Sequence, residues 1–128
     1  MQEHHLFEYA VVRLVPRVER EEFINVGVIL LCAKQKFLSC LLELDEKRLM
    51  SLCTTVDIAE VKNHMQSFDR ISKGGKAGGP IGMLPVAERF RWVTSNRSTV
   101  VQCSPVHPGL CYDPEATLQR LFEQLVRA

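Results

Sequence analysis

Four residues near the start of the chain are of types that bind anions or transfer protons, and a glycine lies close to them in sequence. Arg13 lies inside one apolar run, Asn25 and Gly27 lie inside the next, and Glu21 and Glu22 belong to the charged segment between them. If the two runs pair as a hairpin with Arg13 opposite Asn25, both side chains point to one face. Gly27 on that face leaves room for a ligand. A guanidinium beside an amide suits a carboxylate or phosphate, and Glu22 is the candidate for proton transfer.

The same residues have a purely structural interpretation. Arg13 would then pair with Glu21 or Glu22 in a salt bridge that fixes the hairpin loop, and Gly27 would relieve crowding under a helix. A buried charge needs a partner in either case, so a pair by itself does not establish a site. The sequence leaves both interpretations open for this set of residues.

A second group of candidates lies late in the chain, where three residues separate His107 from Cys103 and from Cys111. Sulfur and imidazole ligands bind zinc, with His64 as a possible fourth ligand. There is no Cys-x-x-Cys pair, and the spacing is not a standard structural zinc pattern, so these are weak candidates and we expect no metal. Cys103, Ser104 and His107 are also the candidates for nucleophilic catalysis. No Gly-x-Ser-x-Gly motif is present, catalytic residues stay unknown, and we expect no cofactor.

Basic residues occur in two short segments. The segment 73–80 is half glycine and carries Lys73 and Lys76, but it lacks the order of a phosphate-binding loop and predicts a mobile surface loop. Arg89 and Arg91 alternate with aromatic residues, which is a pattern of nucleic-acid binding. The run is short and the net charge is only +1, so nucleic-acid binding is the last alternative.

The bulk composition predicts one globular domain over residues 1–128. A chain of 128 residues with 46% hydrophobic residues fits a single core. No apolar run approaches the roughly 20 residues that span a bilayer. The first residues lack the pattern of a signal peptide, and five scattered cysteines do not suggest a disulfide framework. We therefore expect a cytoplasmic protein without a membrane segment.

Apolar periodicity and turn signals predict an α+β fold in the order β-β-β-α-α-β-β-α. The antiparallel sheet has about five strands, with helices packed on one side, although both faces of the first strand are largely apolar. The predicted strands are 6–15, 23–32, 37–44, 90–95 and 99–104, the segment 96–98 joins the last two, and 105–112 is irregular. The predicted helices run from Asp45 to Cys53, from Asp57 to about Ser72, and onward from Asp113.

Several of these residues, taken in order, resemble a known bacterial family. The pattern is a Tyr-x-x-x-Arg strand, a proline, an acidic pair, Asn-x-Gly and a late Gln-x-Ser before the final helix: Tyr9, Arg13, Pro16, Glu21, Glu22, Asn25, Gly27, Gln102 and Ser104. It is similar to family 3037 in the series of domains of unknown function, from about Phe7 to Val126. The resemblance implies a small cytoplasmic protein without an assigned activity and genomic neighbours that resemble HipA-type kinases.

These observations favour a non-catalytic binding or accessory module that acts through a protein partner, with a HipA-like kinase as the candidate that the resemblance implies. The alternative is an enzyme or ligand-binding domain for a small anionic substrate that uses Arg13, Glu22 and Asn25. A weak nucleic-acid binder is the second alternative.

Overall fold

Three antiparallel strands form the first third of the fold, as the sequence predicts. A computed structural model describes residues 3–95 and 100–127, and in these ranges the chain forms five strands and five helices. The strands are β1 (His5–Leu14), β2 (Ile24–Cys32), β3 (Phe37–Leu42), β4 (Val101–Cys103) and β5 (His107–Cys111). The helices are α1 (Glu46–Leu52), α2 (Ile58–Lys73), α3 (Gly79–Gly82), α4 (Val86–Thr94) and α5 (Pro114–Phe122), and a π-helical turn follows α5 over Glu123–Arg127. The predicted α+β class with an antiparallel sheet is confirmed.

β1 is the central strand of the sheet. One side of β1 pairs with β2, and β2 pairs with β3, so that β3 forms an edge of the sheet. The other side of β1 pairs with β5 over His5 to Tyr9 and with β4 over Val12 to Leu14. Since all these pairs are antiparallel, short turns suffice to connect β1, β2 and β3.

Helices cover both faces of the sheet, so the prediction that they pack on one side is wrong. Ala10 and Leu14 of β1 belong to a core with Val61 of α2 and Phe90 of α4. Phe7 belongs to a second core with the apolar stripe of α5, formed by Leu118, Leu121 and Phe122. Because alternate residues of a strand point to opposite faces, the two cores lie on opposite sides of β1. The apolar character of both faces of β1 already required cover on both sides.

Three aspartates begin the helices that the sequence predicts at those positions. The carboxylates of Asp45, Asp57 and Asp113 accept hydrogen bonds from backbone N–H groups in the first turns of α1, α2 and α5. Each bond satisfies a backbone donor that has no partner inside the helix. The predicted starts of α1, α2 and α5 are therefore confirmed.

Residues 90–95 were predicted as a strand, but 90–94 belong to α4. Val86, Phe90 and Val93 recur at helical spacing and pack against the core of α2, with Phe90 fully buried. A short apolar run is compatible with a strand or a helix, and packing decides between them. The predicted strand 99–104 is confirmed over Val101–Cys103, whereas residues 96–99 lie outside the described residues.

The segment 105–112 was predicted as irregular, but it contains β5. Pro108 pairs with Glu8 of β1. A proline fits there because β5 pairs with no strand other than β1 in the described part of the chain, and its other side needs no donor. Gly109 lies opposite Phe7, whose ring Cζ would be 2.5 Å from a Cβ atom at that glycine.

The glycine-rich segment 73–80 folds into helical turns instead of an open loop. A 3₁₀ turn over Lys76–Gly78 leads directly into α3, and the N–H of Gly75 donates to the carbonyl of Gly82 at 2.8 Å. The guanidinium of Arg89 fills the space beside Gly74, where a Cβ atom would lie 2.1 Å from its Nη1. The glycines therefore permit close packing.

None of the described helices is long and apolar enough to cross a membrane.

Candidate functional site

Arg13 and Asn25 face each other across β1 and β2, which is the register on which the predicted anion site depends. On the other side of β1, Arg13 pairs with Gln102 of β4. Asn25, Arg13 and Gln102 therefore form a line of polar side chains across three adjacent strands, which we call the polar row. Gln102 was not among the predicted site residues. The sequence feature that pointed to Gln102 was the late Gln-x-Ser element of the family pattern.

Gly27 does not lie on the face of the polar row, so this part of the prediction is wrong. Val12 pairs with Gly27 and Arg13 pairs with Asn25, so that Val26 is an extra residue in β2. Such a bulge resets the alternation of side chains along a strand. A Cβ atom at Gly27 would lie 2.4 Å from the carbonyl oxygen of Leu41 and 2.4 Å from Leu42 Cδ2. Gly27 thus permits the close approach of β3 and leaves no ligand space beside Arg13.

The two predicted acidic residues do not pair with Arg13. Glu22 is exposed and accepts a hydrogen bond from Nε of Arg20. Glu21 is also exposed, and its left-handed backbone, with φ of 59°, closes the turn between β1 and β2. Neither the predicted salt bridge nor a cluster of Arg13 with Glu22 is among the contacts of the described residues.

Two buried polar atoms of the polar row have no hydrogen-bond partner among the described residues. The Arg13 guanidinium lies over the ring of Phe23, with Cζ 4.1 Å from the ring centroid. Nε of Arg13 is buried and has no hydrogen-bond partner in the described part of the chain. Asn25 donates from Nδ2 to the carbonyl of Leu125 at 3.1 Å, while its buried Oδ1 has no partner there. Buried polar groups of this kind are rare in folded proteins.

A polar cavity of about 380 Å³ adjoins Asn25. Its charged groups are partly paired with each other, because Arg127 binds Glu43 at 2.6 Å and Glu123 at 2.7 Å. Asp45 and Arg48 complete the charged lining. Arg13 does not line this cavity, so the cavity and the guanidinium are separate features that share Asn25.

The weak metal candidates do not come together. Cys103 pairs with Val12 and packs in the core of α2 and α4, whereas Cys111 belongs to the core of α5 on the other face. His107 stacks on Tyr9, with ring centroids 5.3 Å apart. Among residues 3–95 and 100–127, no three His, Cys, Asp or Glu side chains are placed to hold a metal ion.

The candidate nucleophiles are also engaged in the structure. Burial raises the pKa of the Cys103 thiol to about 12, which keeps it protonated at neutral pH. Ser104 Oγ accepts from the N–H of Val11 at 2.8 Å and donates to the carbonyl of Pro105 at 2.9 Å. These contacts give neither group the base that a nucleophile requires.

Nucleic-acid binding would use the basic residues Lys73, Lys76, Arg89 and Arg91, and three of these four contact other groups. Lys73 pairs with Asp69 at 2.8 Å, and Arg91 pairs with Glu8 at 3.8 Å. Arg89 donates to the carbonyl of Gly82 at 3.4 Å. These contacts reduce the charge available to a phosphate backbone.

An apolar groove lies between β3 and α2, and we call it the β3–α2 groove. It has a volume of about 360 Å³ and opens along the edge of the sheet. Its lining comes from the β3 side and from one face of α2: Cys40, Leu41, Leu42, Leu44, Lys62, Met65, Gln66 and Asp69. No pattern in the sequence indicates this groove, because it forms only when α2 packs beside β3.

A comparison with protein-family models matches residues 9–126 to a family described as protein of unknown function (DUF3037). The chain belongs to the DUF3037 family. The match covers nearly the whole chain and confirms the resemblance that the sequence pattern indicated. Comparisons with curated proteins and with solved structures found no match. The DUF3037 description assigns no activity, so no site residue can be transferred from it.

Proposed function

We propose that this protein is a non-catalytic binding module that acts through a protein partner and takes an extended segment of that partner along β3. The observation that carries the proposal is the β3–α2 groove beside an edge strand. Extended segments add to sheet edges through main-chain hydrogen bonds, and a neighbouring groove selects alternate side chains.

The backbone of β3 supplies donors for such a segment. The N–H of Glu43 donates to the carbonyl of Val26 in β2 at 2.7 Å. Because N–H directions alternate along a strand, the N–H groups of Leu42, Cys40 and Leu38 point away from β2. The outer side of β3 pairs with no other strand among the described residues. Its open donors therefore lie next to the groove.

The lining of the groove indicates the chemistry of the segment. Leu42 and Met65 give it an apolar floor, while Lys62 and Asp69 contribute charge. Asp69 is already paired with Lys73, whereas Lys62 has no ion pair among the described residues. An apolar side chain for the floor and an acidic side chain for Lys62 complement this arrangement. The resemblance makes a HipA-like kinase the first partner to test.

The experiment compares two substitutions of exposed residues on α2. Gln66→Arg places a longer side chain over the groove, where it fills the space for the apolar side chain of the segment. Ser67→Arg places the same side chain next to it in sequence, outside the groove lining. Exposed substitutions of this kind change stability by about 0.5 kcal/mol or less. We expect the tagged wild-type protein to capture a partner from its native cells. Gln66→Arg should weaken binding roughly tenfold, and Ser67→Arg should not.

Amide hydrogen exchange locates the contact. We expect the partner to slow exchange at Leu38, Cys40 and Leu42 more than at the strands inside the sheet. Equal binding by both variants, or a wild-type protein that is recovered alone, would contradict the proposal. Sedimentation of the purified protein gives the remaining outcome. A dimer that Gln66→Arg dissociates would mean that a second copy, and not a different protein, occupies the groove.

A further inference from the structure

We infer that Arg13, at the centre of the polar row, binds a carboxylate group that the described part of the chain does not supply. This inference goes beyond the proposed function, because the polar row and the β3–α2 groove have no residue in common. It starts from the charge of Arg13. A partly buried guanidinium is costly unless an acidic group or hydrogen-bond acceptors compensate it.

The contacts of Arg13 leave its positive charge without a carboxylate among the described residues. Its buried Nε has no acceptor, and Glu22, the acid predicted to approach it, is bound to Arg20. The ring of Phe23 compensates the charge only in part, through a cation–π contact. Among residues 3–95 and 100–127, the guanidinium is therefore held in place with no acidic side chain beside it.

The surroundings also orient the guanidinium. Its Cζ lies over the ring of Phe23, which holds the guanidinium in place, and the N–H groups of a guanidinium lie in its own plane, where they form a fork for two oxygen atoms. The side-chain amide of Asn25 is held by its bond to Leu125, and its unpartnered Oδ1 is an acceptor, so the bond to a carboxylate comes from Arg13 and not from this oxygen. Arg13 remains partly exposed and Phe23 is 43% exposed, so a ligand can reach this face.

Charge matching favours a carboxylate over a phosphate. Arg13 contributes the one positive charge of the polar row, and its two neighbours in the row are neutral amides. A carboxylate neutralises this charge, while a phosphate dianion would leave an excess negative charge in a partly buried site. The carboxylate can belong to a small molecule or to a protein partner, and the two sources require separate tests.

The first test follows the Arg13 Nε–H by NMR, with assignment from its absence in Arg13→Lys. Burial shields this group, so its resonance should persist in water. We expect acetate and benzoate to shift the resonance more than chloride at equal ionic strength. The affinity for these ions, followed in both proteins by the backbone amide resonances of β1, should fall roughly tenfold or more in Arg13→Lys, because lysine lacks the planar fork of donors that binds two oxygen atoms.

Two matched variants test the mechanism. Gln102→Glu places a carboxylate opposite Arg13, and we expect it to occupy the guanidinium and abolish binding of added carboxylates. Gln119→Glu makes the same chemical change on the exposed surface of α5 and should leave binding unchanged. A folded Gln102→Glu protein keeps the test valid if Arg13→Lys fails to fold.

The second test asks whether Arg13→Gln loses the captured partner while Gln119→Glu retains it. If Arg13→Gln loses the partner and small carboxylates do not shift the Arg13 resonance, the carboxylate belongs to the partner. If small carboxylates do shift the resonance, the carboxylate belongs to a free ligand. The inference is overturned if carboxylates act only as chloride does and Arg13→Gln captures the partner normally. If no partner is captured at all, the proposed function fails and the NMR test decides this inference alone.

Discussion

The close approach of β2 and β3 at Gly27 gives the sharpest test of the structure. Gly27→Ala adds one methyl group. Its carbon would lie 2.4 Å from the Leu41 carbonyl oxygen and 2.4 Å from Leu42 Cδ2. Atoms of this kind normally remain about 3.5 Å apart. The Leu42 side chain can move, but the Leu41 oxygen belongs to the backbone, so the two strands must separate.

The size of the effect follows from two opposing contributions. Forcing an extra methyl group into a packed site costs about 1–3 kcal/mol, and contact with backbone places Gly27→Ala at the upper end. Replacing glycine by alanine also restricts the unfolded chain, which stabilises the protein by about 0.4–1 kcal/mol. We therefore expect the free energy of unfolding to fall by roughly 2 kcal/mol.

Urea denaturation of the wild type, Gly27→Ala, Leu42→Ala and the double variant measures this effect. Leu42→Ala removes the mobile side chain and leaves the Leu41 carbonyl in place. We expect most of the cost of Gly27→Ala to persist in the Leu42→Ala background, with a coupling energy below about 1 kcal/mol. A Gly27→Ala protein within about 0.5 kcal/mol of the wild type would refute the β2–β3 geometry. A cost that disappears with Leu42→Ala would refute the backbone clash.

Two further predictions concern the cysteines. Burial raises the pKa of Cys40 and of Cys103 from 9.0 to about 12, so above pH 9 unfolding releases their protons. The free energy of unfolding should therefore fall by about 1.4 kcal/mol per pH unit for each thiol between pH 9 and 12. Denaturation at several pH values should show a flatter decline for the Cys40→Ala/Cys103→Ala protein, and equal slopes would contradict the assigned burial. A hydrogen bond with the Thr55 hydroxyl lowers the pKa of Cys53, so iodoacetamide should label Cys53 before the two buried thiols, as mass spectrometry of timed samples can show. Faster labelling of Cys40 than of Cys53 would contradict this order.

The elements that depend on local patterns were predictable from the sequence. The apolar runs gave β1, β2 and β3, and Asp57 and Asp113 marked helix starts that the structure confirms. The pairing of Arg13 with Asn25 was one register that the sequence allowed, and the structure adopts it. These features depend on residues close to each other in the chain, so their local preferences agree with the final fold.

Other features depend on contacts between residues that are distant in the chain. Gln102 joins the polar row because β4 pairs with β1, across 89 positions of sequence between Gln102 and Arg13. Phe90 lies in a helix because α4 packs on α2, although its short apolar run is equally compatible with a strand. Pro108 pairs in a strand because β5 lies at an edge. In each of these cases the result depends on which elements pack together, and a local sequence pattern does not specify that.

The candidate site shows the same division most clearly. The sequence by itself determined that a guanidinium and an amide lie in consecutive apolar strands, where alternation allows them to share one face. Only the tertiary structure decided that a bulge at Val26 turns Gly27 to the other face, that Glu22 binds Arg20, and that Arg13 is left without a carboxylate among the described residues. The physical reason is that a bulge and an ion pair are chosen by the packing of neighbouring strands and side chains, which the order of residues along one strand does not specify.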